Sequence, residues 1–248
     1  MKSFGLTDKG KVREDNQDSF IIEQCPSCNC LVLALCDGIG GANAGGLASR
    51  LSNREFISYL YGKLTSRVQK RMDYEALLRE ACSEANGVSF EYSQFDEAFH
   101  GMGTTLVGGI LKNDGKGYFI NVGDSRAYLI SRRRGQITQI TRDHSLVEDL
   151  VESGAITKEQ ARVHPQKNII TRALGSDAMV EGDYYRFALR SGDILLLCSD
   201  GLSDTLCDEE ILDAALTHAD PEALCRFLMA ETLQRGARDN VTVIAVCK

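Results

Sequence analysis

Apolar positions along this chain follow two different periods, and the switch between them marks out the elements. Residues 31–36 (LVLALC) are apolar without interruption, as in a strand buried on both faces. Residues 19–23 form a strand candidate just before it, and residues 2–6 another. Helical spacing then takes over. Leu47, Leu51, Phe56, Leu60 and Leu64, and later Leu77, Leu78, Ala81, Cys82, Ala85 and Val88, predict two long helices joined within 62–73. From Gly103 the texture returns to strands, at 104–111, 117–122, 127–131 and 136–141, with Asn113-Asp114-Gly115 as a hairpin turn between the first two. A charged stretch, 143–164, carries one amphipathic helix (Leu146, Leu150, Val151) and a second helix from Thr157. Strands at 184–189 and 193–199, helices at 209–216 and 221–235, and a strand at 241–247 complete the chain. Blocks of strands alternating with paired helices predict an α+β fold, with antiparallel sheets stacked between helix layers.

Composition narrows the class without changing that picture. The chain has 248 residues, 43% hydrophobic and 25% charged, with only three prolines and no Pro/Ser-rich linker, so one domain over 1–248 is expected. A net charge of −7 argues against nucleic acid as a partner. The basic run Arg132-Arg133-Arg134-Gly135 reads as a hairpin turn with a solvated tip, with a docking patch as the alternative. The first residues do not resemble a secretory signal, and no apolar run approaches the ~18 residues of a membrane helix, so a cytoplasmic location is expected. Nine cysteines, an odd number scattered through strands and helices, suit reduced and mostly buried thiols. Cys25, Cys28 and Cys30 lie between two apolar runs with Pro26 and Asn29, which favours a plain hairpin turn. A zinc or redox role is the alternative, and no second cysteine pair follows to complete a zinc site.

The candidate chemistry lies at strand ends. Asp37 follows the 31–36 run, Asp124 follows 119–122, Asp200 follows 195–198, and Asp239 precedes the final strand. Each has Gly, Ser or Asn beside it. Any one of these is an ordinary turn. Brought together, they would repel: at about 4 Å each pair costs ~1 kcal/mol in water and up to ~4 near a protein surface. Such a cluster is tolerable only around cations, and oxygen donors without histidine favour Mg²⁺ or Mn²⁺ over zinc. If the four ends converge, a two-metal site that acidifies a water for attack on a phosphoester is the natural product.

These same residues make the chain resemble the type 2C metal-dependent Ser/Thr protein phosphatases, in their bacterial single-domain branch. The resemblance runs in order from Gly5 to Val246. It comprises GKVREDNQDSF (10–20), DGIGG (37–41), GMGTTLVG (101–108), NVGDSRAYL (121–129), TRDHSLVEDLVESGAIT (141–157), HPQKNIITRALG (164–175), LLLCSDGLSD (195–204) and RDNVTVI (238–244). It implies a central antiparallel β-sandwich flanked by helix pairs, with a metal cluster at one end. It also implies that Asp37 bridges two metals, that the Gly38 carbonyl binds the second, and that Asp200 and Asp239 bind the first. Asp18 matches an acid that supports the cluster through bound waters. Asp124 matches a ligand of a third, weaker metal, with help from Asp200 and with Asp204 close by. Arg13 matches the arginine that holds the substrate phosphate, a task suited to a guanidinium fork. Residues 143–170 match a mobile flap. The implied partners are phosphorylated proteins, including a Ser/Thr kinase that the enzyme opposes, and a monomer is expected.

Departures from the family pattern are Gln17 in place of a frequent Glu, Ala42 in place of a frequent His, and Gly46 in place of another Glu. Ile39 stands where eukaryotic relatives have a His proposed as general acid, so the leaving-group proton is expected from a metal-bound water or another group. His100 is a further candidate donor, with a surface or core role as its alternative. Two other function classes stay open on sequence grounds: a catalytically silent scaffold, which predicts lost ligands, and a nucleotide-binding turn at 38–46. The second fails the dinucleotide spacing, because Asn43 stands where the third glycine belongs.

Overall fold

A computed structural model describes residues 1–41, 44–66, 72–95 and 97–248. Its strands are β1 (Lys2–Asp8), β2 (Ser19–Cys25), β3 (Cys30–Cys36), β4 (Gly38–Ile39), β5 (Gly103–Thr104), β6 (Leu106–Lys112), β7 (Lys116–Val122), β8 (Arg126–Ser131), β9 (Gln136–Gln139), β10 (Asp183–Ala188), β11 (Asp193–Cys198) and β12 (Val241–Cys247). Its helices are α1 (Ala44–Thr65), α2 (Tyr74–Phe95), α3 (Leu146–Glu152), α4 (Lys158–Arg162), α5 (Asp200–Ser203), α6 (Asp208–Thr217) and α7 (Pro221–Gln234). Two five-stranded sheets, ordered β1-β12-β11-β8-β9 and β10-β7-β6-β3-β2, are antiparallel throughout, and β4 pairs with β5 in a separate ribbon.

The uninterrupted apolar strands now have a cause. Successive side chains of a strand point to opposite faces, and here both faces are covered. In β3, Leu31, Leu33 and Leu35 enter the layer between the two sheets, while Val32, Ala34 and Cys36 pack against α1 and α2. In β11, Leu195 and Leu197 face inward, while Ile194, Leu196 and Cys198 meet α6 and α7. β12 divides in the same way, with Ile244 and Val246 inside and Val241, Val243 and Ala245 against helices. The result is the helix–sheet–sheet–helix sandwich that the resemblance implies. Phe119, fully buried between the sheets, is one of its larger wedges, and truncation to Ala there should cost about 3–5 kcal/mol.

Local readings hold with some adjustments. The cysteine segment is a hairpin turn: Cys25 pairs with Cys30 across a single 3₁₀ turn at Pro26–Cys28, and Asn29 takes the left-handed conformation (φ 51°). The 132–135 segment turns β8 back into β9. The expected strand at 104–111 is instead split. Thr105 leaves the ladder to exchange hydrogen bonds with the main chain of Asp37, its N–H reaching the Asp37 carbonyl at 2.9 Å and its Oγ1 accepting the Asp37 N–H at 2.9 Å. Thr104 consequently pairs with Gly38, and only from Leu106 onward does the chain join β7 and β3. The turn after β11 is also more structured than expected, since Asp200 opens the short helix α5. Ala42 lies outside the described residues.

Candidate active site

Every acid singled out at a strand end opens onto the same end of the sandwich. A cleft of about 520 Å³ is lined by Asp37, Gly38, Asp124, Asp200 and Asp239, with Arg13, Gln17, Ile39 and Thr105 around them and Asn168 and Ile170 above. It shares Asp124, Asn168 and Asp200 with a second cavity of about 600 Å³ under 143–168. Convergence follows from topology. β3 and β11 are interior strands of opposite sheets that deliver Asp37 and Asp200 to the same end, and β12, beside β11, begins there just after Asp239.

Asp18 forms the floor of the group. It is 7% exposed, and its Oδ2 accepts hydrogen bonds from Ser199 Oγ (2.9 Å) and Thr242 Oγ1 (2.6 Å). Its other oxygen, Oδ1, is buried with no hydrogen-bond partner, and the same holds for Asp200 Oδ1. An ionised oxygen buried and unpaired is expensive. Burial pushes Asp37 and Asp200 well above the ordinary carboxylate range, and repulsion from neighbouring aspartates pushes further: chiefly Asp18 on Asp37, and Asp124 on Asp200. Burial likewise raises Asp18 to about 6 and, with the Asp143 charge, Asp124 to about 7.

These orphaned oxygens fit a hard divalent cation, which would supply both the missing partner and the missing charge. Among the described residues, no three Asp, Glu, His or Cys side chains already close on one point as a ready ligand set. The acids stand along the cleft walls, with space for carbonyl and water ligands, as Mg²⁺ and Mn²⁺ commonly take. Gly38 belongs to this wall for a steric reason. A Cβ there would lie 2.2 Å from the Gly45 carbonyl oxygen and 2.6 Å from that of Gln17, so only glycine lets β4 pass against the start of α1.

Arg13 and Asp239 touch. Arg13 Nη2 donates to Asp239 Oδ2 at 2.7 Å, and that contact raises the guanidinium pKa. The phosphate-binding candidate and a metal-ligand candidate are therefore partners at the cleft rim. Asn240 fixes the entry of this loop: its Nδ2 donates to the carbonyls of Lys9 and Asp15, each at 2.9 Å, and its Oδ1 accepts the Gln17 N–H at 2.9 Å. Asp204 lies near Asp124 and Asp200 and raises both, and its own carboxylate is held by Lys167 Nζ at 2.5 Å. His100 is exposed in a turn and absent from the cleft lining.

Sequence reasoning did not single out Thr105, Ser199, Thr242 and Asn240. Each lies within a quoted motif, but the bonds of Thr105 to Asp37, of Ser199 and Thr242 to Asp18, and of Asn240 to the main chain of Lys9, Asp15 and Gln17 span 68 or more positions and have no local signature.

The sequence pattern of protein phosphatase 2C matches residues 9–236. The chain belongs to that family. Serine/threonine phosphatase stp of Listeria monocytogenes is 35% identical over 240 residues, covering 97% of this chain and 93% of that protein. Among solved structures, serine/threonine phosphatase Stp1 from Staphylococcus aureus superposes with a TM-score of 0.89 at 36% identity, over 100% of this chain and 94% of that one. The catalytic domain of PstP, solved in complex with two manganese ions, gives a TM-score of 0.82 at 35% identity, over 98% and 96% of the two chains. The protein phosphatase 2C family is metal-dependent, in keeping with the orphaned carboxylate oxygens of the cleft.

Proposed function

We propose that this chain is a serine/threonine protein phosphatase whose acidic cleft binds two Mn²⁺ or Mg²⁺ ions at its core and a third more weakly. The observation that carries the reading is the gathering of Asp37, Asp124, Asp200 and Asp239 around one cleft with buried Asp18 close to Asp37, and with one buried oxygen each of Asp18 and Asp200 left unpartnered. In this reading Asp37, Asp200, Asp239 and the Gly38 carbonyl would hold the core ions, Asp18 would support them, and Asp124 would hold the third. Bound ions of this class supply Lewis-acid stabilisation of phosphoryl charge and a water nucleophile at neutral pH.

The protein's own residues supply position and charge. Arg13, exposed on the rim beside Asp239, offers a planar fork matched to two phosphate oxygens. Engaging phosphate requires only that one guanidinium edge turn from Asp239 toward the cleft. Thr105 fixes the Asp37 backbone from both its N–H and its carbonyl, so the Asp37 carboxylate is placed before any substrate arrives. Ser199 and Thr242 saturate one oxygen of Asp18 and leave the other facing the cluster. Ile39 has no proton to give, so the leaving serine or threonine alkoxide would take its proton from a metal-held water or another group of the cleft.

Phosphoproteins are the partners in this reading, with the flap at 143–170 bordering their path, and the enzyme works as a cytoplasmic monomer opposing a Ser/Thr kinase. No described helix is long and apolar enough to cross a membrane. Hydrolysis of p-nitrophenyl phosphate and of phosphoserine and phosphothreonine peptides, with Mn²⁺ and with chelator, tests the activity. Metal-dependent turnover is expected, and its absence would overturn the reading. The kinase-opposing role is tested by comparing the phosphoproteome of cells lacking the gene with that of cells carrying Asp37→Asn. The two should share the same accumulated phosphosites.

A further inference from the structure

The turn between β7 and β8 carries Asp124, and the residues that enter the flap grip it on both sides. Gly123, just before Asp124, has φ +97°, and a Cβ there would sit 2.6 Å from Thr105 Cγ2. With no side chain possible, the turn can be held here only through its main chain. His144 does this. The Gly123 N–H donates to His144 Nδ1 at 3.1 Å, and the His144 N–H donates to the Gly123 carbonyl at 3.0 Å. On the other side of Asp124, Arg126 meets the Asp143 carboxylate through Nε and Nη2, with Nη2 to Oδ2 at 2.6 Å.

His144 is itself anchored. It is 3% exposed, and burial keeps it below the ordinary histidine pKa. With Nδ1 accepting, the neutral ring carries its proton on Nε2, which lies 3.3 Å from Asp183 Oδ2 on β10. Asp183 also receives Arg172 Nη1 at 3.0 Å. The His144 carbonyl accepts the Thr171 N–H at 2.8 Å, so the chain leaving the flap is tied to the residue at its entry. A bridge between Ser145 and Ile170 continues that seam. His144 does not line the cleft.

We propose that His144 is the positioning residue that locks both stems of the flap to the Asp124 turn, making flap placement and the position of the Asp124 carboxylate a single variable. The proposal rests on the reading of Asp124 as a ligand of the weakest ion. Coupling of this kind is reciprocal: an ion at Asp124 favours one flap position by the same factor by which that position favours the ion. Neither the flap sequence nor the metal motifs assign this histidine a part in either.

The test compares His144→Ala and His144→Asn, whose side-chain oxygen can still accept the Gly123 N–H. Calorimetric Mn²⁺ titration gives the ion count and affinities, and limited proteolysis within the flap, with and without Mn²⁺, gives flap placement. His144→Ala should keep the two tight ions, weaken the weakest at least tenfold, and lose Mn²⁺-dependent protection of the flap. His144→Asn should recover most of both. An unchanged isotherm and unchanged protection in folded His144→Ala would overturn the proposal, as would loss of all ions together from a folded variant. Should the alanine variant not fold, Asp183→Asn at a position 33% exposed carries the test, with the same changes expected at smaller size and no change overturning it. Asp124→Ala serves as the control. If the weak ion survives that substitution, the assignment of Asp124 fails independently of the clamp.

Discussion

Two groups of buried and half-buried acids stand next to one another in this protein and are treated in opposite ways. Asp143 has its carboxylate surrounded: Arg126 grips it with two nitrogens and Gln139 Nε2 adds a third donor at 2.7 Å. Arg126 in turn reaches Tyr128, which donates to Asp208. That is a closed network, with the charge neutralised inside the protein. A short distance away, Asp18, Asp37, Asp124 and Asp200 face each other with little positive charge among them, and two oxygens are left without partners. The first arrangement holds a structure together. The second leaves a deficit that a ligand must fill, and that difference separates a structural ion pair from a binding site.

The largest break in the comparison comes from exchanging a member of each group. Asp37→Asn should lower Mn²⁺-dependent turnover by on the order of 10³-fold or more, about 4 kcal/mol, while raising the melting temperature in chelator because a repelled carboxylate is gone. Asp143→Ala should do the reverse. It strands the partly buried Arg126, costs about 3 kcal/mol of stability, and should leave tight Mn²⁺ binding in place. Melting curves with and without Mn²⁺, beside turnover rates, check both. If Asp143→Ala cost nothing, the two groups would not differ as described.

A pH series sharpens the contrast. Without ions, Asp18 and Asp124 hold their protons to about 6 and about 7, above the value of the unfolded chain. The folded state then binds more protons than the unfolded state from about pH 4 upward, so metal-free stability falls as pH rises through that window. Differential scanning fluorimetry in chelator should show melting temperature declining with pH, and saturating Mn²⁺ should flatten the slope. A chelated protein that gains stability with rising pH would break the assignment. Arg13→Ala should raise KM for a phosphopeptide about tenfold, roughly 1.4 kcal/mol, with little change in Mn²⁺ affinity, as steady-state kinetics would show. The smallest effect is expected from Thr242→Val, which removes one of the two donors to Asp18 and should cost about 1 kcal/mol in the ion-loaded protein.

Much of this was legible in the chain. Strand 31–36 declared its double burial by carrying no polar residue, and both long helices were visible in their apolar spacing, because these are properties of neighbours along the sequence. Asp37, Asp124, Asp200 and Asp239 stood out one by one for the same reason, each beside a glycine, serine or asparagine at a strand end. The motifs, in their order, carried the family. Where local pattern misled, at the strand drawn through 104–111, the cause was a distant partner: Thr105 leaves the ladder to hold Asp37.

Only the folded chain decides which of these residues meet. Thr242 reaches Asp18 across 224 positions, Arg13 reaches Asp239 across 226, and His144 closes on Gly123 across 21. Nothing in the spacing of a sequence encodes such contacts, because they depend on how two sheets pack and which strand ends that packing brings to the same side. The sequence determined the elements, the acids and the family. The tertiary structure determined that the acids share one cleft, that their charge is left uncompensated there, and that buried His144 hydrogen-bonds the main chain of Gly123 beside Asp124.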